Sequence, residues 1–110
     1  MKPLNVSLAG LFTVLAVFAA PTQALEGDAA AGKQKNAMCQ GCHGIAGFRM
    51  AFPEVLSVPK LGGQNVEYLT SALKAYRAGD RANTNMKAIA ASLSDQDIAD
   101  LAAYYAKGGK

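Results

Sequence analysis

Tryptophan is absent from the 110 residues, histidine occurs once and cysteine twice. Two cysteines cannot build a multi-disulfide scaffold. With a single histidine beside them, they leave a four-ligand zinc site one ligand short. Charge of either sign is sparse, 11 Lys and Arg against 8 Asp and Glu, for a formal net charge of +3. That excess is too small and too scattered for a nucleic-acid-binding surface. Internal repeats and low-complexity tracts are also missing, and no linker follows residue 25. At 51% apolar and 17% charged residues the chain is neither disordered nor collagen-like. Its length suits one domain and leaves no room for two ordinary cores.

Long apolar runs are lacking too, with one exception at the start. Lys2 precedes the apolar and small residues Leu8 to Ala20, and Pro21-Thr22-Gln23-Ala24 follow. A basic beginning, a short apolar stretch and a small residue at its end read as a secretory signal. The run falls short of the roughly 20 apolar residues that a membrane helix needs, although an uncleaved anchor is the competing reading. No cysteine near the expected cut offers a lipid attachment point. Residues 1–24 are therefore expected to be a signal peptide cleaved after Ala24. Residues 25–110 would then be one domain in the periplasm, with no stable membrane insertion after cleavage.

β-Branched runs and alternating patterns are missing from residues 25–110, which are rich in alanine. The expected fold class is therefore all-α. A first helix is expected over Asp28 to Met38, with Asp28 capping free amides at its start. Gly44 to Gly63, holding Pro53 and Pro59, reads as an extended loop. Asn65 opens a helix that should end near Gly79, with Val66, Leu69, Leu73 and Tyr76 on one face. Ala82 to Asn85 form a polar turn, and Met86 to Ser92 one or two helical turns. Ser94 with Asp97 is a short version of the capping box. It starts a last helix lined by Ile98, Leu101, Ala102 and Tyr105 and stopped by Gly108-Gly109. About four short helices without tryptophan make a thin core, and many domains of this size add a covalent or metal staple. Something other than side chains is expected to fill the middle.

Cys39-Gln40-Gly41-Cys42-His43 uses both cysteines and the only histidine. On a helical backbone all three side chains project from one side. Covalent haem attachment needs this arrangement, two thiols for two vinyl groups with an imidazole beside them aimed at the iron, and C-x-x-C-H is its signature. A dithiol redox pair would instead sit among strands alternating with helices, and no strand is evident. The expected cofactor is one haem c, covalent through Cys39 and Cys42, with iron held by His43. No histidine remains for the second axial position, so the soft candidates are Met38, Met50 and Met86. Met38 shares the motif's segment and should stay on the proximal side. Met50 follows His43 by seven residues and would need an abrupt wrap, whereas Met86 lies 43 residues downstream in a polar turn that suits ligand presentation. By position alone, Met86 as ligand and Met86 as core packing stand level.

The chain resembles the small soluble bacterial monohaem members of the class I c-type cytochromes, over essentially all of residues 25–110. The resemblance is carried by Gly32-Lys33, Cys39-Gln40-Gly41-Cys42-His43-Gly44 and Pro59-Lys60-Leu61-Gly62-Gly63-Gln64. It continues through Tyr68, Tyr76, Arg77, Gly79, Asp80, Arg81 and Met86 to Leu93-Ser94-Asp95-Gln96-Asp97-Ile98 and Ala102-Ala103-Tyr104-Tyr105. It implies a cytochrome c fold of about four short helices wrapped around one covalent haem, with Met86 as the distal ligand. It also implies that the Pro59 carbonyl accepts the imidazole N–H of His43, in line with the outer hydrogen bond that ligating histidines usually make. The segments Gly32 to Met38 and Ile98 to Tyr105 should cross.

Two departures stand out. Phe48 to Glu54 is longer and more aromatic than the family leads one to expect; it shields the haem edge, meets a partner or simply fills the loop. Dihaem relatives fuse two such domains, and the single motif here leaves a non-covalent homodimer open. Lys33, Lys35, Lys60, Lys74, Arg77, Arg81, Lys87 and Lys107 form either a ring that steers an acidic redox partner or an ordinary solvated surface. Tyr68, Tyr76 and Arg81 either reach the haem propionates or only pack.

The function expected from this reading is electron transport, not enzymatic conversion. One haem c with His43 and Met86 on the iron would shuttle single electrons between redox protein partners, membrane respiratory complexes or periplasmic dehydrogenases and oxidases. A haem sensor or peroxidase with an open distal site is one rival. Peroxide chemistry usually wants a distal histidine or carboxylate; the histidine is used, and the only acid within six residues of Met86 is Asp80. A haem c subunit of a dehydrogenase complex is the other.

Overall fold

The computed structural model describes residues 24–110 together with Met1, so the expected signal segment lies, but for its two ends, outside the described residues. Asp28 is extended and its carboxylate accepts the Ala30 amide at 2.8 Å, which starts α1 (Ala29–Lys35). The single helix expected over Asp28 to Met38 is in fact two. Asn36, a residue of modest helix propensity, ends α1 and begins α2 (Ala37–His43). The amides of Cys39 and Gln40 turn back to its carbonyl at 2.9 Å. The cysteine motif thus rides on a short helix of its own.

The loop after α2 is not wholly strandless. Arg49–Met50 (β1) and Leu56–Ser57 (β2) pair antiparallel, with Arg49 opposite Ser57 and Met50 opposite Leu56. Two-residue strands are too short for alternation to show in a sequence, which is why the hairpin was not expected.

Next comes α3 (Val66–Ala78), capped by the Asn65 side chain on the Tyr68 amide at 2.8 Å and closed by left-handed Gly79 at φ 88°. α4 (Thr84–Ala91) starts before Met86 rather than at it, because the Asn83 side chain accepts the Met86 amide at 2.9 Å and caps the turn. The capping box of Ser94 and Asp97 opens α5 (Asp95–Ala106). Among the described residues there are five helices and one small hairpin, in keeping with the about four short helices expected, and the class is all-α.

Ile98, Leu101, Ala102, Tyr104 and Tyr105 of α5 form the core with Leu69 and Leu93. α1 packs on α5 where both lack bulk. A Cβ on Gly32 would lie 2.1 Å from the Asp100 carbonyl oxygen, and one on Gly27 2.0 Å from that of Ala99. A polar clamp closes the same seam. Asp100, only 3% exposed, accepts from the Asp28 amide, Gln96 Nε2 and Lys35 Nζ at 2.8, 2.9 and 2.7 Å. Both oxygens of the buried carboxylate are thereby engaged, as a buried charge requires.

Candidate functional site

α2, α3, α4, α5 and the hairpin surround a cavity of about 580 Å³, within the roughly 300–1,000 Å³ of typical ligand sites; the core residues Leu69, Leu101, Ala102 and Tyr105 form part of its wall. One turn of α2 turns Cys39, Cys42 and His43 onto its wall, and both thiols are free. Burial pushes the Cys39 thiol above its ordinary value. His43 Nδ1 lies 2.6 Å from the Pro59 carbonyl oxygen. A carbonyl only accepts, so Nδ1 carries the proton and donates it, leaving Nε2 with a lone pair free to bind a metal. Met86, in the first turn of α4, lines the same cavity, as do Pro59 and Leu61. Its amide is held by the Asn83 cap.

Cys39, Cys42, His43, Pro59 and Met86 therefore meet at one place. So do Met38 and Met50. Met50, seven residues after His43, is brought to the cavity wall by the β1–β2 hairpin. Asn85 Nδ2 donates to the Phe52 carbonyl at 3.4 Å, tying the hairpin's tip to the turn that bears Met86.

Arg81 donates to the Tyr68 hydroxyl at 3.2 Å and lies over the Tyr76 ring, 4.7 Å from its centroid. All three line the cavity. Among the described residues no carboxylate forms an ion pair with Arg81. Lys35 and Arg77 leave the set of steering cations. Lys35 is bound to Asp97 and Asp100, and Arg77 to Asp95 at 2.5 Å and to the Leu93 carbonyl at 3.0 Å. Asn83 and Tyr105 are site residues that sequence reasoning had assigned to a turn and to core packing. No residue-level signal marks either, because their roles come from the fold.

The family model described as Cytochrome c matches residues 29–107, nearly the whole of the described chain. The chain belongs to the cytochrome c family. It is 49% identical over 82 residues to cytochrome c-554(548) of Halomonas halodenitrificans, covering 72% of this chain and 94% of that protein. It is 44% identical over 80 residues to cytochrome c4 of Pseudomonas aeruginosa, covering 73% of this chain and 38% of that one. The solved structure of reduced recombinant cytochrome c4 from Pseudomonas stutzeri is similar at a TM-score of 0.60 and 33% identity, over 74% of this chain and 46% of that one. The chain thus spans nearly all of the first relative and less than half of a cytochrome c4.

As a cytochrome c, the protein carries covalently attached haem c with its iron and serves electron transport. The donor set fits that group. Two thiols one helical turn apart, an imidazole with one nitrogen already committed and a thioether line a cavity whose remaining wall includes Leu69, Leu73, Ile89 and Leu101. Among the described residues no helix is long and apolar enough to cross a membrane.

Proposed function

We propose that this cytochrome c is a periplasmic carrier of single electrons, exported on residues 1–24 and working as residues 25–110. Cys39 and Cys42 are the attachment points, and His43 and Met86 are the axial ligands. The observation that carries this reading is the meeting of both thiols, the imidazole and the Met86 thioether on one apolar cavity.

Bound there, haem supplies a one-electron iron couple. The chain's own residues set the conditions. The Pro59 carbonyl fixes the tautomer and ring orientation of His43 and raises its basicity. The soft Met86 thioether favours the reduced metal and so a higher potential, and the Asn83 cap presents that thioether from a fixed turn. Leucine and isoleucine side chains keep water from the cofactor. The protein transforms no substrate; its partners are redox proteins, membrane respiratory complexes or periplasmic dehydrogenases and oxidases.

The test is the visible spectrum of the purified ferric holoprotein beside Met86→Ala. A weak far-red sulfur-to-iron band should be present in the parent and lost in the variant. A high-spin parent without that band would mean an open distal site, and the sensor or peroxidase reading would replace the carrier. The intact mass of protein recovered from the periplasm should correspond to a chain beginning at Leu25.

A further inference from the structure

Among the described residues from Asp28 onward, every large apolar side chain that stands exposed lies between Met38 and Tyr68. Scattered singly such residues are ordinary, but gathered on one stretch they mark a contact surface. The two most exposed, Phe52 at 81% and Val55 at 63%, sit on the tip that joins β1 to β2, in the segment that departs from the family pattern. All of the tip residues Ala51 to Val55 are exposed, and Glu54 is the only polar one.

The tip is held in place. β1 and β2 pair at its base, the Val58 amide donates to the Phe48 carbonyl at 3.0 Å, and Asn85 Nδ2 donates to the Phe52 carbonyl. An aromatic side chain carried on an already ordered backbone loses little freedom when a partner covers it. The same hairpin sends Met50, Leu56 and Val58 onto the wall of the haem cavity. A surface resting on the tip is therefore separated from that cavity by one layer of chain, and electron tunnelling falls steeply with distance.

Charge selects the occupant. Residues 44–63 and 79–91, the segments that Asn85 ties together at Phe52, carry Arg49, Lys60, Arg81 and Lys87 against Glu54 and Asp80. All four cations are exposed, and among the described residues none of them forms an ion pair. A second copy docked by this same face would set like charges against each other. A lipid surface would gain from Phe52 and Val55 less than one acyl chain supplies, and one acyl chain binds only marginally.

We propose that the β1–β2 tip is the docking surface for a redox protein whose own face is apolar at its centre and rimmed by carboxylates, with Phe52 as the anchor. The inference rests on the reading of this protein as an electron carrier.

The probe for the holoprotein is a gold electrode coated with a mixed monolayer of methyl- and carboxylate-terminated alkanethiols, with hexacyanoferrate(III) in solution as the control oxidant. The interfacial electron-transfer rate should fall about tenfold in Phe52→Ser, as the loss of one anchor implies. Arg49→Gln should lower it about threefold at low salt and converge with the parent as ionic strength rises. The midpoint potential and the rate with hexacyanoferrate(III), a small ion that needs no anchor, should be unchanged in Phe52→Ser. A Phe52→Ser rate on the monolayer equal to the parent's overturns the proposal. Binding of the parent to phosphatidylglycerol vesicles that Phe52→Ser abolishes also overturns it, because the tip would then be a lipid anchor. So does a parent dimer in sedimentation that the variant lacks, which would make the tip a self-contact. Val55→Ser gives an independent arm that survives if Phe52→Ser fails to mature, with the same fall expected and an unchanged rate again refuting the idea. A parent without a reversible one-electron wave would strike the carrier reading itself, a result separable from every comparison between parent and variant.

Discussion

His43 keeps its Nδ1 proton on the Pro59 carbonyl at 2.6 Å, which leaves one nitrogen for a metal. The residue types of this site were legible in the sequence, because helical spacing alone places Cys39, Cys42 and His43 on one side. The Met86 position was legible only with the help of the family, since nothing local separates a ligand from a core methionine. For Arg81 the sequence groups the right residues, with Tyr68 and Tyr76, but leaves open whether they reach the haem or only pack. The stacking of Arg81 on Tyr76 and its bond to Tyr68 join residues that share a wall only after α3 and the following turn have folded. Guanidinium stays charged at any working pH, and a cation beside the haem cavity favours the electron-rich state. Arg81→Gln should therefore lower the midpoint potential by about 40 mV, or about fivefold in the equilibrium at 59 mV per tenfold. Arg81→Lys should recover part of that loss. Potentiometric titration of the three holoproteins checks the order; an unshifted Arg81→Gln would make Arg81 a solvated surface cation.

The elements repeat this division between local and distant causes. Caps written in a few neighbouring residues were readable: Asp28, Asn65 and the Ser94–Asp97 box each start the helix expected of them. Asn83 was hidden because it stands in a polar run that also reads as a turn, yet it holds the amide of Met86 itself. Asn83→Ala should cost about 1 kcal/mol of stability and weaken the far-red band, since the turn that presents the thioether frays. Thermal melts followed in the visible range report both effects together; a destabilised variant with its band intact would separate the cap from ligand presentation. The α1–α5 seam behaves differently, because there backbone meets backbone. With a Cβ 2.1 Å from the Asp100 carbonyl oxygen, Gly32→Ala has no flexible side chain to push aside. It should cost roughly 1–3 kcal/mol, as overpacking does, measured as a lower denaturant midpoint at unchanged spectrum.

At the scale of the whole molecule, a thin core implied that something other than side chains fills the centre, and the cavity of about 580 Å³ stands where that filling belongs. The two ends of the described chain are then joined by charge. Lys35, on α1, reaches Asp97 and Asp100 on α5 at 2.8 and 2.7 Å. No sequence pattern announced this, because the partners lie more than sixty residues apart. The Lys35 ammonium holds the Asp97 carboxyl down at about 2 against an ordinary 3.8, with Ser94 helping. The same ammonium lowers Asp100, and the two carboxylates raise Lys35 above 10.5. A carboxyl lowered on folding contributes stability that is present above its unfolded value and lost as pH falls through its folded one. An ammonium raised on folding contributes stability that is full below 10.5 and lost as pH rises through its higher folded value. The clamp should therefore be at full strength on a plateau from about pH 4 to about pH 10, and fail on the acid side between about pH 4 and pH 2. Asp97→Asn keeps an oxygen for the Ser94 amide and removes only the charge. Its thermal midpoint should lie below the parent's by a constant margin across the plateau, and the two curves should converge toward pH 2. A margin that persists unchanged to pH 2 would show that Asp97 works through packing or capping, and that the charge joining the two helices contributes nothing.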